Sequence, residues 1–83
     1  MYTLIKVGAE WCGPCKVQEE EFEKNPVQNV DYKKYDADSE EGEEICKKYG
    51  VMSMPTIILL DGEKEVHRWV GFTKSSAIQL LVK

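Results

Sequence analysis

The sequence predicts an α/β fold in which three helices flank a central four-stranded mixed sheet, with the elements in the minimal order βαβαββα. Short β-rich runs alternate with amphipathic stretches, and glycine or proline stands at most of the boundaries. The last two β-rich runs are separated only by the turn signal Asp61-Gly62. The 83 residues, of which 42% are hydrophobic, suit one domain over residues 1–83.

The first half of the chain predicts a strand and then a helix. Tyr2 to Val7 is short and β-rich, which is typical of a buried strand. Cys12 stands where the N-cap of a helix is expected, and Pro14 falls in the first turn, where its missing N–H costs nothing. We expect this helix to end near Lys24 and to pack through a narrow stripe: Cys15, Val17, the stem of Gln18 and Phe22.

The middle of the chain predicts a second strand and a second helix. Val30 to Ala37 is a strand of mixed character. Ser39 is expected to cap the helix that follows, and Gly50 to end it as a C′ glycine. Its inner face repeats at helical spacing: Gly42, Ile45, Cys46 and Tyr49.

The last third predicts a hairpin and a short helix. Ile57 to Leu60 is a buried strand, and Val66 to Val70 alternates as its hairpin partner. Thr73 or Ser75 is expected to cap the final helix. Four residues are expected on the inner side of that helix: Ala77, Ile78, Leu81 and Val82.

Charge and composition exclude several classes of protein. The chain carries 11 Lys and Arg against 15 Asp and Glu, and its net charge of -4 argues against nucleic acid or an anionic membrane as partner. No segment approaches the ~20 apolar residues of a spanning helix, and the N-terminal run is too short for a signal peptide. The odd count of three cysteines argues against a secreted disulfide framework. Together with the opening Met1, this predicts a cytoplasmic protein from which no export signal was removed.

The most informative motif is the pair Cys12 and Cys15 at the start of the first helix. Residues three apart on a helix have Cα atoms roughly 5 to 6 Å apart, which a disulfide tolerates. A two-electron reaction can therefore join or part the two sulfurs without moving the backbone. In a βαβ context, this spacing indicates thiol–disulfide redox chemistry.

Four segments of the chain agree with the sequence pattern of a known family: Ala9-Glu10-Trp11-Cys12-Gly13-Pro14-Cys15-Lys16, Lys48-Tyr49-Gly50-Val51, Met54-Pro55-Thr56 and Val70-Gly71. With these segments the chain resembles the thioredoxins over nearly its whole length. The resemblance implies the thioredoxin fold, here shortened at the N-terminus to a glutaredoxin-like size.

The resemblance also implies roles for the site residues. Cys12, at the exposed end of the helix, is the expected nucleophile, and Cys15, facing the core, is the expected resolving thiol. Gly13 and Pro14 are expected to stiffen the helix start and to favour a dithiol that gives up its electrons. The Met54–Pro55 bond is expected to be cis, and four residues are expected to contact an extended substrate: Trp11, Met54, Pro55 and Gly71.

Two positions depart from the family pattern. Lys6 replaces the usual buried Asp, which is thought to shuttle a proton for the second cysteine, and Gly8 replaces a usual Trp. Lys34 aligns with a lysine that lies beneath the active site in the family. With Lys6 and Lys34 approaching the pair, we predict a Cys12 thiolate at least as favoured as in ordinary thioredoxins.

The remaining candidate ligands indicate no further site. Cys46 is expected to be a buried inert thiol, with a regulatory or dimer-forming cysteine as the alternative. His67 is expected on the surface of an edge strand. Cys12, Cys15, Cys46 and His67 lack the paired spacings of structural zinc sites, so we expect no metal and no cofactor besides a redox-active Cys12–Cys15 disulfide.

The sequence therefore predicts a monomeric dithiol reductant of protein disulfides, recharged by a thioredoxin reductase or similar donor. One alternative is a glutaredoxin-like enzyme that draws on glutathione, although C-G-P-C and M-P-T resemble thioredoxin rather than the C-P-Y-C and T-V-P pattern. The other alternative is a non-catalytic binding module that uses the same fold as a scaffold.

Overall fold

A computed structural model describes all 83 residues and contains seven elements in the predicted order. They are β1 (Tyr2–Gly8), α1 (Gly13–Lys24), β2 (Val30–Asp36), α2 (Glu40–Tyr49), β3 (Thr56–Asp61), β4 (Lys64–Val70) and α3 (Ser75–Gln79). No helix among them is long and apolar enough to cross a membrane.

The four strands form one mixed sheet in the order β2-β1-β3-β4. β1 and β2 run parallel, whereas β1 with β3 and β3 with β4 run antiparallel. The register pairs Gly8 with Asp36, Val7 with Thr56, and Thr56 with Val70. These residues mark one end of the sheet, the Gly8 end, and α1 begins just beyond it.

Both faces of the central strands are buried, as expected for strands with near-continuous apolar runs. Alternate residues of β1 and β3 point to opposite faces and build two clusters. On one face, Leu4 of β1 and Ile57 and Leu59 of β3 pack with Phe22 of α1 and Ile78 of α3. The other packs beneath α2, where Ile45, Cys46 and Tyr49 cover Ile5, Val7, Ile58 and Leu60.

The apolar stripe predicted for α1 is wrong at one position. Val17 is half exposed, whereas Gln18 is completely buried beside Cys15 and Phe22. The Gln18 amide is satisfied by one backbone segment: Nε2 donates to the Thr73 carbonyl at 2.9 Å, and Oε1 accepts from the Thr73 N–H at 2.7 Å. A polar side chain thus fills an inner position because both of its ends are hydrogen-bonded.

The second helix begins and ends as predicted. Ser39 Oγ accepts a hydrogen bond from the Gly42 N–H at 2.9 Å, and Gly50 takes the left-handed conformation with φ of 65°. A Cβ at Gly42 would overlap the Asp36 carbonyl. Glycine at this position therefore allows α2 to approach the end of β2.

The last helix is shorter than predicted and is capped differently. Lys74, not Thr73 or Ser75, is its N-cap and makes no side-chain cap, while the Ser75 N–H donates to Glu21 Oε2 of α1 at 2.8 Å. Only Ile78 of the predicted inner residues is buried; Ala77 and Leu81 are exposed. The N–H of Leu81 bonds three residues back, so a tight turn ends the helix before Leu81 and Val82.

Candidate active site

The first turn of α1 brings Cys12 and Cys15 together as a disulfide with Cα atoms 5.3 Å apart. Cys12 is the N-cap, and its N–H donates to the Ala9 carbonyl at 3.2 Å, which closes the loop after β1. Trp11, Gly13 and Pro14 are exposed, as predicted for this end of the helix, whereas only 6% of Cys12 and 2% of Cys15 are exposed.

Backbone polarity at this turn favours negative charge on Cys12. The Cys15 N–H donates to Cys12 Sγ at 3.2 Å, an N-cap bond in which sulfur takes the place of the usual oxygen. The helix N-terminus adds a partial positive charge. Both effects stabilise a thiolate once the disulfide is opened.

The absence of a side chain at Gly8 leaves space for the side chain of Cys15. A Cβ at Gly8 would lie 3.2 Å from Cys15 Sγ and 3.3 Å from Lys6 Cε. Both distances are tighter than ordinary contacts, so a larger residue would have to displace one neighbour. Glycine thus allows the Lys6 stem and the Cys15 sulfur to share one side of the sheet end.

Lys6 and Lys34 both approach the site, but they do so as partners of Glu19, which sequence reasoning missed. Lys6 is buried, and its Nζ lies 2.8 Å from Glu19 Oε2, while Lys34 Nζ lies 3.5 Å from Oε1. The signal was present in the spacing, because Glu19 follows Cys15 by four residues and so shares its helix face. The two predicted cations are therefore bridged by one carboxylate.

The charges around Glu19 change its pKa and that of Tyr32. Burial raises the pKa of Glu19, but the Lys6 hydrogen bond and the charges of Lys6 and Lys34 outweigh it, so the pKa is lowered. Tyr32 OH donates to Glu19 Oε2 at 3.3 Å. Burial, followed by the Glu19 charge, raises the pKa of Tyr32.

Three of the predicted contact residues lie around the Gly8 end. The Met54–Pro55 bond is cis, and buried Pro55 directly precedes β3. The Pro55 carbonyl accepts from the Gly71 N–H at 2.9 Å, and Gly71 has φ of 92°, which favours glycine. Met54 is half-buried against the α2 side of the core.

Trp11, the fourth predicted contact residue, is 70% exposed although its indole is anchored. Trp11 Nε1 donates to Asp38 Oδ2 at 2.8 Å, which links the loop before α1 to the segment before α2. Sequence reasoning also missed the exposed apolar side chains near Gly71, namely Val70 and Phe72. Their residue types alone predict burial, so only the fold reveals them as surface.

The other candidate ligands stay apart from this site. Cys46 is half-buried on α2, and burial, followed by the charge of Glu43, raises the pKa of its thiol. His67 is exposed on β4. No three His, Cys, Asp or Glu side chains are grouped in a way that could hold a metal ion.

The profile of the Thioredoxin family matches residues 1–83. The chain belongs to the thioredoxin family. It is 40% identical over 82 residues to the thioredoxin of Mycoplasma pneumoniae, a match that covers 96% of this chain and 78% of that protein. It is also 40% identical over 83 residues to the thioredoxin of Bacillus subtilis, with the same coverage.

Solved thioredoxin structures share the fold. A thioredoxin-2, described as a component of malaria parasite protein secretion machinery, superposes with a TM-score of 0.86 at 28% identity, covering 99% of this chain and 81% of that one. Fasciola hepatica thioredoxin gives 0.81 at 29% identity, covering 96% and 77%. The predicted fold and family are therefore confirmed, and the Cys12–Cys15 disulfide is the redox group of a thiol–disulfide oxidoreductase.

Proposed function

We propose that this thioredoxin reduces disulfides of protein substrates and is recharged by a thioredoxin reductase. The supporting observation is the disulfide in the first turn of α1, where the Cys15 N–H meets the Cys12 sulfur. We also propose that the protein acts as a single domain, as a monomer and in the cytoplasm. The cysteine usage supports that location, because three cysteines form no secreted disulfide framework.

The reaction would proceed in two exchanges. The Cys12 thiolate attacks a substrate sulfur, the substrate S–S bond breaks, and the other substrate sulfur leaves as a thiolate that is then protonated. Cys15 loses its proton and attacks Cys12 Sγ, which forms the Cys12–Cys15 bond and releases the second substrate thiol. Two electrons pass to the substrate, and the reductase returns two electrons to the pair.

Cys12 is proposed as the nucleophile because the groups around its sulfur stabilise a negative charge there. A free thiol with a pKa near 8.5 is only ~3% thiolate at neutral pH. The helix terminus contributes about 1 kcal/mol, or about 0.7 of a pKa unit. The Cys15 N–H adds a hydrogen bond to the same sulfur, and Lys6 and Lys34 are proposed to add positive charge. Gly13 and Pro14 are proposed to hold this turn in place.

The substrate is proposed to bind as an extended segment beside Met54 and Pro55. The Met54 N–H and C=O make no hydrogen bond within the chain, so both are available to an added strand. Gly71 presents no side chain, and exposed Trp11 supplies an apolar flank. This set of groups suits backbone recognition of unfolded or extended disulfide-bearing segments.

Insulin reduction tests the proposal when two electron sources are compared. One assay contains NADPH and thioredoxin reductase, and the other contains NADPH, glutathione and glutathione reductase. We expect turnover with the first source alone, complete loss in Cys12→Ser, and retained turnover in the matched control Cys46→Ser. Cys15→Ser is expected to accumulate a mixed disulfide with the substrate.

Three outcomes would contradict the proposal. Turnover with glutathione alone would make the chain a glutaredoxin-like enzyme. Turnover with dithiothreitol only would assign it a different electron donor. Unchanged function of Cys12→Ser in a partner-binding assay, without any turnover, would make it a scaffold.

A further inference from the structure

Lys6 is the only charged residue of the chain that is buried, with 8% exposed. Its Cε and the Cys15 Sγ lie 3.3 and 3.2 Å from one point, the position of a Cβ on Gly8. Lys6 and Cys15 also line the same cavity, of about 450 Å³, between β1, α1 and β2. The Lys6 Cε, one bond from the ammonium nitrogen, therefore lies on the same side of Gly8 as the sulfur that must lose a proton before the second exchange.

Glu19 fixes where that cation lies. Its Oε2 is 2.8 Å from Lys6 Nζ and its Oε1 is 3.5 Å from Lys34 Nζ, while Tyr32 OH donates to Oε2 at 3.3 Å. The Glu19 side chain is 23% exposed and that of Lys34 is 66% exposed. One carboxylate thus stands between two ammonium groups, of which only that of Lys6 belongs to a buried residue.

The other charged groups of the cavity are less effective. β2 contributes Tyr35 and Asp36, and the loop before α1 and its first turn contribute Glu10 and Lys16. Asp36, Glu10 and Lys16 are exposed, so water and salt screen their charges. Because Lys6 and Glu19 are shielded from solvent, their charges act more strongly on the sulfur.

We propose that Lys6 stabilises the thiolate of Cys15 and that Glu19 is a positioning residue, which holds the Lys6 ammonium in place and offsets part of its charge. The inference rests on the proposed reductase function, in which Cys15 resolves the mixed disulfide.

In the resolving step the Cys15 thiol gives its proton to water in the cavity. The thiolate, held beside the Lys6 ammonium, attacks Cys12 Sγ. The Cys12–Cys15 bond forms as the bond between Cys12 and the substrate breaks, and the substrate sulfur takes up the electron pair and then a proton. Lys6 itself exchanges no proton in this step.

The test is a pH titration of the fully reduced protein, followed through the ¹³Cβ chemical shift of each cysteine. Lys6→Met is expected to raise the Cys15 pKa by about 1 unit, and Glu19→Gln to lower it by about 1 unit. The matched control Glu20→Gln removes the same charge from an exposed position of α1 and is expected to leave it unchanged. In Lys6→Met, the further change Glu19→Gln is expected to have less than half its effect in the natural sequence.

Each contrary result has a definite meaning. A Cys15 pKa that is the same in Lys6→Met and Glu20→Gln would overturn the role of Lys6. A rise in Glu19→Gln would overturn the offset assigned to Glu19, because loss of the Lys6 position would then outweigh loss of the negative charge. Equal effects of Glu19→Gln in both backgrounds would show that Glu19 does not act through Lys6. The titration needs no substrate and no reductase, so a failure of insulin reduction would leave its result intact.

Discussion

At the scale of single residues, Gln18 ties two distant segments together through its amide. It is fully buried, and both of its polar ends bond to the backbone of Thr73, 55 residues later in the chain. Helical spacing predicted that the stem of Gln18 packs inward. Burial of the amide depends on the Thr73 backbone, a partner that only the tertiary fold supplies, so no local signal could have predicted it.

Gln18→Leu is expected to destabilise the protein by about 2–4 kcal/mol, because it leaves a buried N–H and a buried carbonyl without partners. The urea midpoint would report the loss. Gln28→Leu, which changes an exposed glutamine without a side-chain bond, should cost less than about 0.5 kcal/mol. Equal midpoints for the two variants would mean that water replaces the Gln18 bonds.

At the scale of elements, local signals decided which boundaries could be predicted. Cys12 and Pro14 mark the start of α1, and Ser39 marks the start of α2. Both helices begin where these residues indicate. The start signals expected for α3, Thr73 or Ser75, do not cap it, and the Ser75 N–H is bound by Glu21 of α1 instead. The prediction extended α3 to Val82 because apolar spacing continued, whereas the backbone had already tightened after Gln79.

Ser39→Ala tests the cap of α2. The substitution removes the acceptor of the Gly42 N–H and should lower the free energy of unfolding by about 1 kcal/mol. Chemical denaturation would measure it, with Ser76→Ala as the matched exposed control on α3. Because the Ser39 hydroxyl bonds to the Gly42 N–H and the Asp36 carbonyl and not to either cysteine, insulin reduction at a temperature where both variants are folded should be unchanged. A loss of activity without a loss of stability would contradict this separation.

At the scale of the whole molecule, the dithiol could be predicted but its electrostatic surroundings could not. The spacing of Cys12 and Cys15 is local, so it reads directly from the sequence. The Lys6–Glu19–Lys34 cluster joins β1, α1 and β2, and it depends on the register that pairs Lys6 with Lys34. Comparison with the family pattern drew attention to Lys6 and Lys34, whereas Glu19 was missed although its spacing of four residues from Cys15 places both on one helix face.

The shifted pKa values of several side chains make the stability of the protein depend on pH. The pKa values of Glu19, Glu21 and Glu65 are lowered in the fold: the first because lysine contacts outweigh its burial, the second by the Ser75 N–H, the third by Arg68. Their contribution is complete above the unfolded pKa of about 4.3 and is lost as the pH falls through the folded values. Burial raises the pKa values of Cys46 and Tyr32, so stability falls again as the pH rises past about 8.5 and then about 10.

Urea denaturation of the natural sequence and of Glu19→Gln across this range isolates the cluster. At about pH 7 the variant should be less stable, because Lys6 loses a charged partner while remaining buried. The two curves should converge as the pH falls through the lowered pKa of Glu19, because the protonated carboxyl then resembles the amide. A constant difference between them at every pH would mean that the loss comes from packing, and the ion pair would then contribute nothing that depends on its charge.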